Sequence, residues 1–409
     1  METFFFQQPL ATKPNLLKQI NYARLLDLLR CRAPVTRAEL ARCTGLTRST
    51  VTVITAELIA AGLVQEGTQL ITTPGSGRPG VGLVLNPQGA FFIGAAIEFE
   101  QLTVVELNFA AQIVQHIQEP LEKRQNPKAV LNQLVRLIDR LRQSNPLSRQ
   151  RLRGIGLTIQ GTLNADGVII CAPFLGWQGV DLRRYLQPHL DLPLFVDNDA
   201  NAAALAQVYL GNAMPTHSLL YLLINKGMGA GIVINNRVFR GAYGTAGEVG
   251  AWLTQPICKA VDGTSNQPRH LGLSVGREAL MRHYRERGGT ASDIGELVEH
   301  LVQAEPLARM LIGEWAQVLG WGIINLVNAF NPERIVIGGS LTALIPYVKD
   351  QLDAMLRHYI PGDGADGFFS NPNARFEVSA FGEDAAAIGG AVLAYQSLFQ
   401  VPDLVLLKG

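Results

Sequence analysis

The sequence predicts an α/β body of two lobes carrying a winged helix-turn-helix at its N-terminus. Three observations point there. A buried-strand pattern, Leu194-Phe195-Val196, hands over through Asp197-Asn198-Asp199 to an Ala-rich segment of strong helix propensity. A short helical stretch, a glycine and a second helical stretch occupy residues 36–61, and two strand-like runs around a Gly/Pro loop follow. Beyond about residue 89, apolar strands end repeatedly in Gly-rich turns, as expected of two α/β layers around a cleft.

A chain of 409 residues exceeds one ordinary core. We divide it into a head (1–85), a first lobe (86–210) and a second lobe with a C-terminal helix (211–409). With 47% hydrophobic and 17% charged residues the composition is globular. The net charge is only +1, but the head holds nine Lys/Arg against five Asp/Glu, so it stands at +4 and the remainder at −3. A basic head on an acidic body is compatible with nucleic-acid binding by the head. Cys31, Cys43, Cys171 and Cys258 form no CxxC pair, which argues against a disulfide framework and a cysteine-rich zinc site. No leader is evident around Phe4-Phe5-Phe6, and no run approaches the length of a membrane span, so a cytoplasmic protein without membrane insertion is expected.

In the head, Asn15 to Arg30 has a helical apolar pattern. Thr36-Arg37-Ala38-Glu39 reads as a capping box, opening a short helix that Gly45 ends. Thr47 then caps a longer helix, Arg48 to Ala61, with Val51, Ile54, Leu58 and Ile59 inward. Its outward face begins with Thr47, Arg48, Ser49, Thr50 and Thr52, short hydroxyls and one Arg that can approach base edges and phosphates in a major groove. Base contacts are expected from Arg48, Ser49 and Thr50, and a phosphate contact from Arg37. The loop Pro74 to Gly80 holds Arg78 among small residues, suited to a narrow minor groove.

In the body, strands are expected at 90–96, 102–108, 111–117, 152–159, 218–224 and 334–341, and helices at 127–144, 274–287, 306–329 and 384–399. The polar triplet Asp197-Asn198-Asp199 lies at the carboxyl end of a strand, where open α/β sheets bind ligands. A carboxylate there can accept from hydroxyls or act as a base; the alternative is that these residues only cap the helix.

Four stretches carry a resemblance: Asp197-Asn198-Asp199-Ala200-Asn201-Ala202-Ala203, the wing Gly77-Arg78-Pro79, Gly247-Glu248-Val249-Gly250, and Ile335-Val336-Ile337-Gly338-Gly339-Ser340. They resemble the ROK family (repressors, open reading frames, kinases), in the branch of the N-acetylglucosamine and glucose-regulon repressors. The resemblance implies an actin-like, ribonuclease-H-like ATPase fold for the body and a homodimer or homotetramer on a double-stranded DNA operator. It also implies control by a sugar, sugar phosphate or protein effector. A partial sugar pocket carries over at Gly161, Asn198, Asp199 and Glu248.

The departures are as informative. Family kinases carry Asp-x-Gly-Gly-Thr on their first strand, where this chain reads Ile93-Gly94-Ala95-Ala96-Ile97-Glu98. Their second phosphate loop is Gly-Thr-Gly-like, and here it is Lys226-Gly227-Met228-Gly229. Phosphoryl transfer depends on positioned phosphates and metal, so no enzyme activity, catalytic residue or cofactor is expected, although Asp199 stands at the base position. The zinc module of the family is also absent. Ala251 replaces its His, and only Cys258 remains in the segment that follows, too few ligands for a tetrahedral site. His270 is expected as a loop residue. The reading is therefore a DNA-binding regulator, a repressor of carbohydrate-use genes released by a sugar-type effector between the lobes. The alternatives are a sugar kinase with a DNA-binding head and a repressor controlled by a protein partner.

Overall fold

The computed structural model describes residues 14–71, 80–164, 166–211, 216–254, 269–360 and 375–398. The head follows from local chemistry. Helix α1 (Pro14–Arg32) buries Leu25, Leu26 and Leu29. After strand β1 (Val35–Thr36), the Thr36 hydroxyl accepts from the Glu39 N–H at 3.2 Å and starts α2 (Arg37–Thr44). Only half of the expected box forms, because the Glu39 carboxylate turns to Arg42 (3.5 Å). Gly45 ends α2 at a φ of 71°, a left-handed position that glycine adopts without penalty. Thr47 caps α3 (Arg48–Ala60) by accepting from the Thr50 N–H at 3.2 Å, and Val51, Ile54 and Leu58 pack among the leucines of α1. Strands β2 (Val64–Ile71) and β3 (Gly80–Leu85) pair antiparallel, and β1 adds to β3. Arg78 and the wing tip lie outside the described residues.

The first lobe runs β4 (Phe91–Ile97), β5 (Gln101–Asn108), β6 (Ile113–Pro120), α4 (Pro127–Ser144), α5 (Pro146–Arg151) and β7 (Leu152–Ile159). It continues through a small sheet of β8 (Thr162–Leu163), β9 (Val168–Cys171) and β10 (Val180–Asp181), then α6 (Leu182–Leu186), β11 (Leu194–Asn198) and α7 (Asp199–Leu210). The main sheet has the order β11-β7-β4-β5-β6, with β11, β7 and β4 parallel.

The second lobe runs β12 (Ser218–Ile224), β13 (Met228–Ile234), β14 (Arg237–Val238), the pair β15 (Leu253–Thr254) and β16 (Arg269–His270), α8 (Leu271–Val275), α9 (Arg277–Glu286) and α10 (Ile294–Val302). Then come α11 (Pro306–Phe330), β17 (Arg334–Gly338), α12 (Ile345–Tyr359), β18 (Arg375–Val378) and α13 (Ala385–Tyr395). Its sheet has the order β14-β13-β12-β17-β18. The helix expected over 274–287 is two helices, because the chain turns at Gly276, whose ψ of 158° is not helical.

Two Ala/Gly-rich helices, α7 and α13, lie between the two sheets in one shared core. Close approach is the reason for their composition. A methyl at Gly156 of β7 would overlap the Gly390 carbonyl of α13, and one at Gly389 would overlap Ala202 of α7. Helix α13, grouped with the second lobe in the sequence reading, thus seats on the sheet of the first. Helix α11 corrects a second expectation. Its 25 residues include a window of mean hydropathy 1.3, long and apolar enough by composition to span a membrane. That window is 61% buried, with Leu311, Trp315, Leu319 and Ile323 in the second-lobe core.

Candidate functional site

The head presents a helix face for DNA. Arg48, Ser49, Thr52 and Val53 are exposed on α3, and the spacing of Ser49, Thr52 and Val53 puts them on one side. Thr47 is a cap first: its Oγ1 accepts from the Thr50 N–H and shares hydrogen bonds with the hydroxyls of Ser49 (2.9 Å) and Thr50 (2.8 Å). The Thr52 hydroxyl donates back to the Arg48 carbonyl at 2.8 Å. Arg37 is not free. Its Nε donates to Thr55 Oγ1 (3.2 Å) and its Nη2 pairs with Glu66 (3.0 Å), so a phosphate would have to displace a carboxylate. Val53, 57% exposed, escaped the sequence reading; an apolar residue on the outward face can meet a thymine methyl.

The cleft forms where β11 hands over to α7, and the three polar residues divide the work. Asp197, 7% exposed, accepts from the Asn198 N–H (2.8 Å) and Asn201 Nδ2 (3.2 Å), and pairs with Arg240. It builds the turn. Asn198 caps α7 by accepting from the N–H groups of Ala200 (2.9 Å) and Asn201 (3.2 Å), while its Nδ2 donates to the Gly161 carbonyl at 2.9 Å. Asp199 is buried and accepts from the Ala200 N–H at 2.9 Å. Burial pushes its carboxyl up to about 7, with the charges of Glu98 and Glu248 adding to the rise.

Glu248 reaches this point from the second lobe, where its Oε1 accepts from Thr162 Oγ1 of the first lobe at 2.9 Å. Partial burial raises its carboxyl, and the Thr162 bond opposes the rise. Gly161, Asn198, Asp199 and Glu248 are thereby brought together. Glu98, at the end of β4, joins them and was missed. Burial pushes it up to about 7, against the hydrogen bond from Gln101 Nε2 at 3.1 Å. In sequence it is one acid beyond a buried strand, with nothing to show that the other lobe covers it.

Beside this cluster the two positions of the family phosphate loops face each other across a small pocket of about 90 Å³, bridged by side-chain pairs. The Lys226 ammonium sits 3.2 Å from the Phe99 ring centre and 5.2 Å from that of Phe174, and pairs with Glu278 at 2.5 Å. Arg277 pairs with Glu100 across the lobes (3.0 Å). At the former zinc segment, His270 bonds to the Ala251 carbonyl (2.9 Å), and Cys258 lies outside the described residues. Ala251 offers no side-chain donor, and no group of three or more His, Cys, Asp or Glu among the described residues could hold a metal, so zinc does not fit them.

The ROK family model matches residues 100–397 and a MarR family model matches residues 19–69. The chain belongs to the ROK family. Its ROK body is actin-like, and its winged head makes it a DNA-binding transcriptional repressor of that family. The xylose repressor of Caldicellulosiruptor bescii is 28% identical over 95% of this chain and 98% of its own length. A crystal structure of a ROK family transcriptional regulator, a homologue of the Escherichia coli MLC protein, is 26% identical and covers 96% of this chain and 99% of its own, with a TM-score of 0.77. A glucokinase of Halalkalibacterium halodurans is 28% identical over 75% of this chain and 95% of its own length. ROK proteins thus include both repressors and kinases.

Proposed function

We propose that this ROK protein represses carbohydrate-use genes in the cytoplasm and leaves its operator when a sugar occupies the interlobe cleft. The observation that carries this is the meeting of Asp199, Glu98 and Glu248 with the Asn198 cap, carboxylates from both lobes around one point. Such groups accept hydrogen bonds from sugar hydroxyls, and a ligand touching both lobes favours one lobe arrangement by its differential affinity. On the head, Arg48 and Ser49, with Thr47, Thr50 and Thr52 holding the helix start, would read the major groove, and Arg78 the minor groove. Arg37 would reach phosphate by exchanging Glu66. A homodimer or homotetramer would place two heads on a palindrome.

The kinase reading is disfavoured. Lys226, Arg277 and Arg124, cations beside the two loop positions, are engaged by Glu278, Glu100 and Phe99, and Glu98 and Glu100 would repel a nucleotide. A thermal-shift panel tests both readings, beginning with D-xylose in view of the Caldicellulosiruptor relative and including sugar phosphates and ATP. A sugar that raises the melting temperature and releases DNA supports the proposal. ATP consumption that depends on a sugar would replace it with the kinase.

A further inference from the structure

Among the described residues, hydrogen bonds join head and body at two places, and one apolar core runs through both. The first is the connecting segment, where Asn86 Nδ2 donates to Gly62 O (2.7 Å), the Phe109 N–H to Pro87 O (3.0 Å) and Arg151 Nη1 to Gln88 O (2.8 Å). The second is Arg30, near the end of α1. Its Nη1 donates to the Tyr209 carbonyl at 3.2 Å, and its guanidinium lies 4.6 Å from the centre of the Tyr209 ring. Asp27 holds the same guanidinium through Nε (3.1 Å) and Nη2 (2.7 Å). Tyr209 in turn meets Tyr395 of α13 edge-on at 6.3 Å. Between the two places lies an open groove of about 500 Å³, with Leu29 and Leu85 of the head facing Ala111, Leu210 and Tyr395 of the body.

The groove is open to solvent, so no side chain fills the seam along it. With the connecting segment on one side and Arg30 on the other, the open groove between them leaves the head room to pivot. Arg30 fixes the angle. Its partner is the last turn of α7, and the first residue of α7 is Asp199. Those 12 residues span about 18 Å. From Asp199 to Val208 the helix is buried, and glycines on both flanks, Gly231 and Gly389, hold it at backbone distance. A helix so confined moves as a rod.

We propose that Arg30 is a positioning residue that couples the cleft to the DNA-binding head through α7. This rests on the sugar-gated reading of the cleft, and the experiment separates the two. Wild-type full-length protein selects an operator from random DNA. Its affinity is then measured with and without D-xylose, beside Arg30→Gln and, from the body side, Tyr209→Leu. In wild type the sugar is expected to weaken binding by roughly 5- to 150-fold, and in both variants by less than about 2-fold. Independently of any sugar, amide hydrogen exchange in residues 26–32 and 86–90 is expected to rise roughly tenfold in both variants while the rest of the body keeps its protection. A full sugar response in the variants, or exchange unchanged or raised across the whole chain, would overturn the coupling. If wild type ignores D-xylose, that sugar fails as effector, and the exchange measurement alone decides the joint.

Discussion

Asp197, Asn198 and Asp199 are neighbours with different occupations. The first two are consumed by the turn and the cap, which leaves Asp199 as the acid that the proposed sugar site would use. Its carboxyl, raised to about 7 by burial and then by Glu98 and Glu248, is protonated in the native state while still ionised in the unfolded chain. The native state therefore binds more protons between about pH 4 and about pH 7, and stability falls as pH rises through that window. Asp199→Asn is expected to flatten this slope and to raise stability at about pH 8 by on the order of 2 kcal/mol, while abolishing the sugar response; urea melts across pH check it. A variant as pH-sensitive as wild type would remove Asp199 as the source. The place of the triplet, between a strand and a helix, was legible because strand, polar residues and helix follow one another in sequence. Its internal division was not, because Arg240 and Gly161 arrive from elsewhere in the fold.

At the scale of elements, much of the outward face of α3 is spent on being a helix. Thr47 caps it and shares hydrogen bonds with the Ser49 and Thr50 hydroxyls, and Thr52 bonds to its own backbone, so on the proposed reading Arg48 and Val53 are the outward side chains left to discriminate. Arg48→Ala is expected to weaken operator binding by about 1–3 kcal/mol if it reads a base, with relaxed specificity at one position; a base-by-base substitution series measures it. Equal weakening on all sequences would make Arg48 a phosphate contact. The helices of the head were legible because their start and stop signals, Thr36, Gly45 and Thr47, lie within a few residues of what they control. The break between α8 and α9 was not, since Gly276 serves a contact with Lys226, fifty residues earlier in sequence.

For the whole molecule, Lys226 over Phe99 and Arg277 with Glu100 tie the second lobe to the first. The Phe99 ring carries Lys226 on a face and Arg124 at 4.2 Å, so Phe99→Ala is expected to cost about 1–2 kcal/mol and to speed amide exchange at 98–101 and 225–228. Slow exchange in the variant would assign closure to Arg277 and Glu100 instead. The two-lobed plan was legible from strand-to-glycine turns, but the return of α13 to the first lobe was not, because nothing local marks which sheet a terminal helix chooses. That return has a genetic consequence. Where β7 meets α13, Gly156 faces Gly390, and neither residue has a side chain left to surrender. Gly156→Ala is expected to destabilise the fold by more than about 2 kcal/mol. A screen for second-site suppressors should return none at position 390, since no replacement there is smaller; rescue can come only from changes that let a whole backbone retreat.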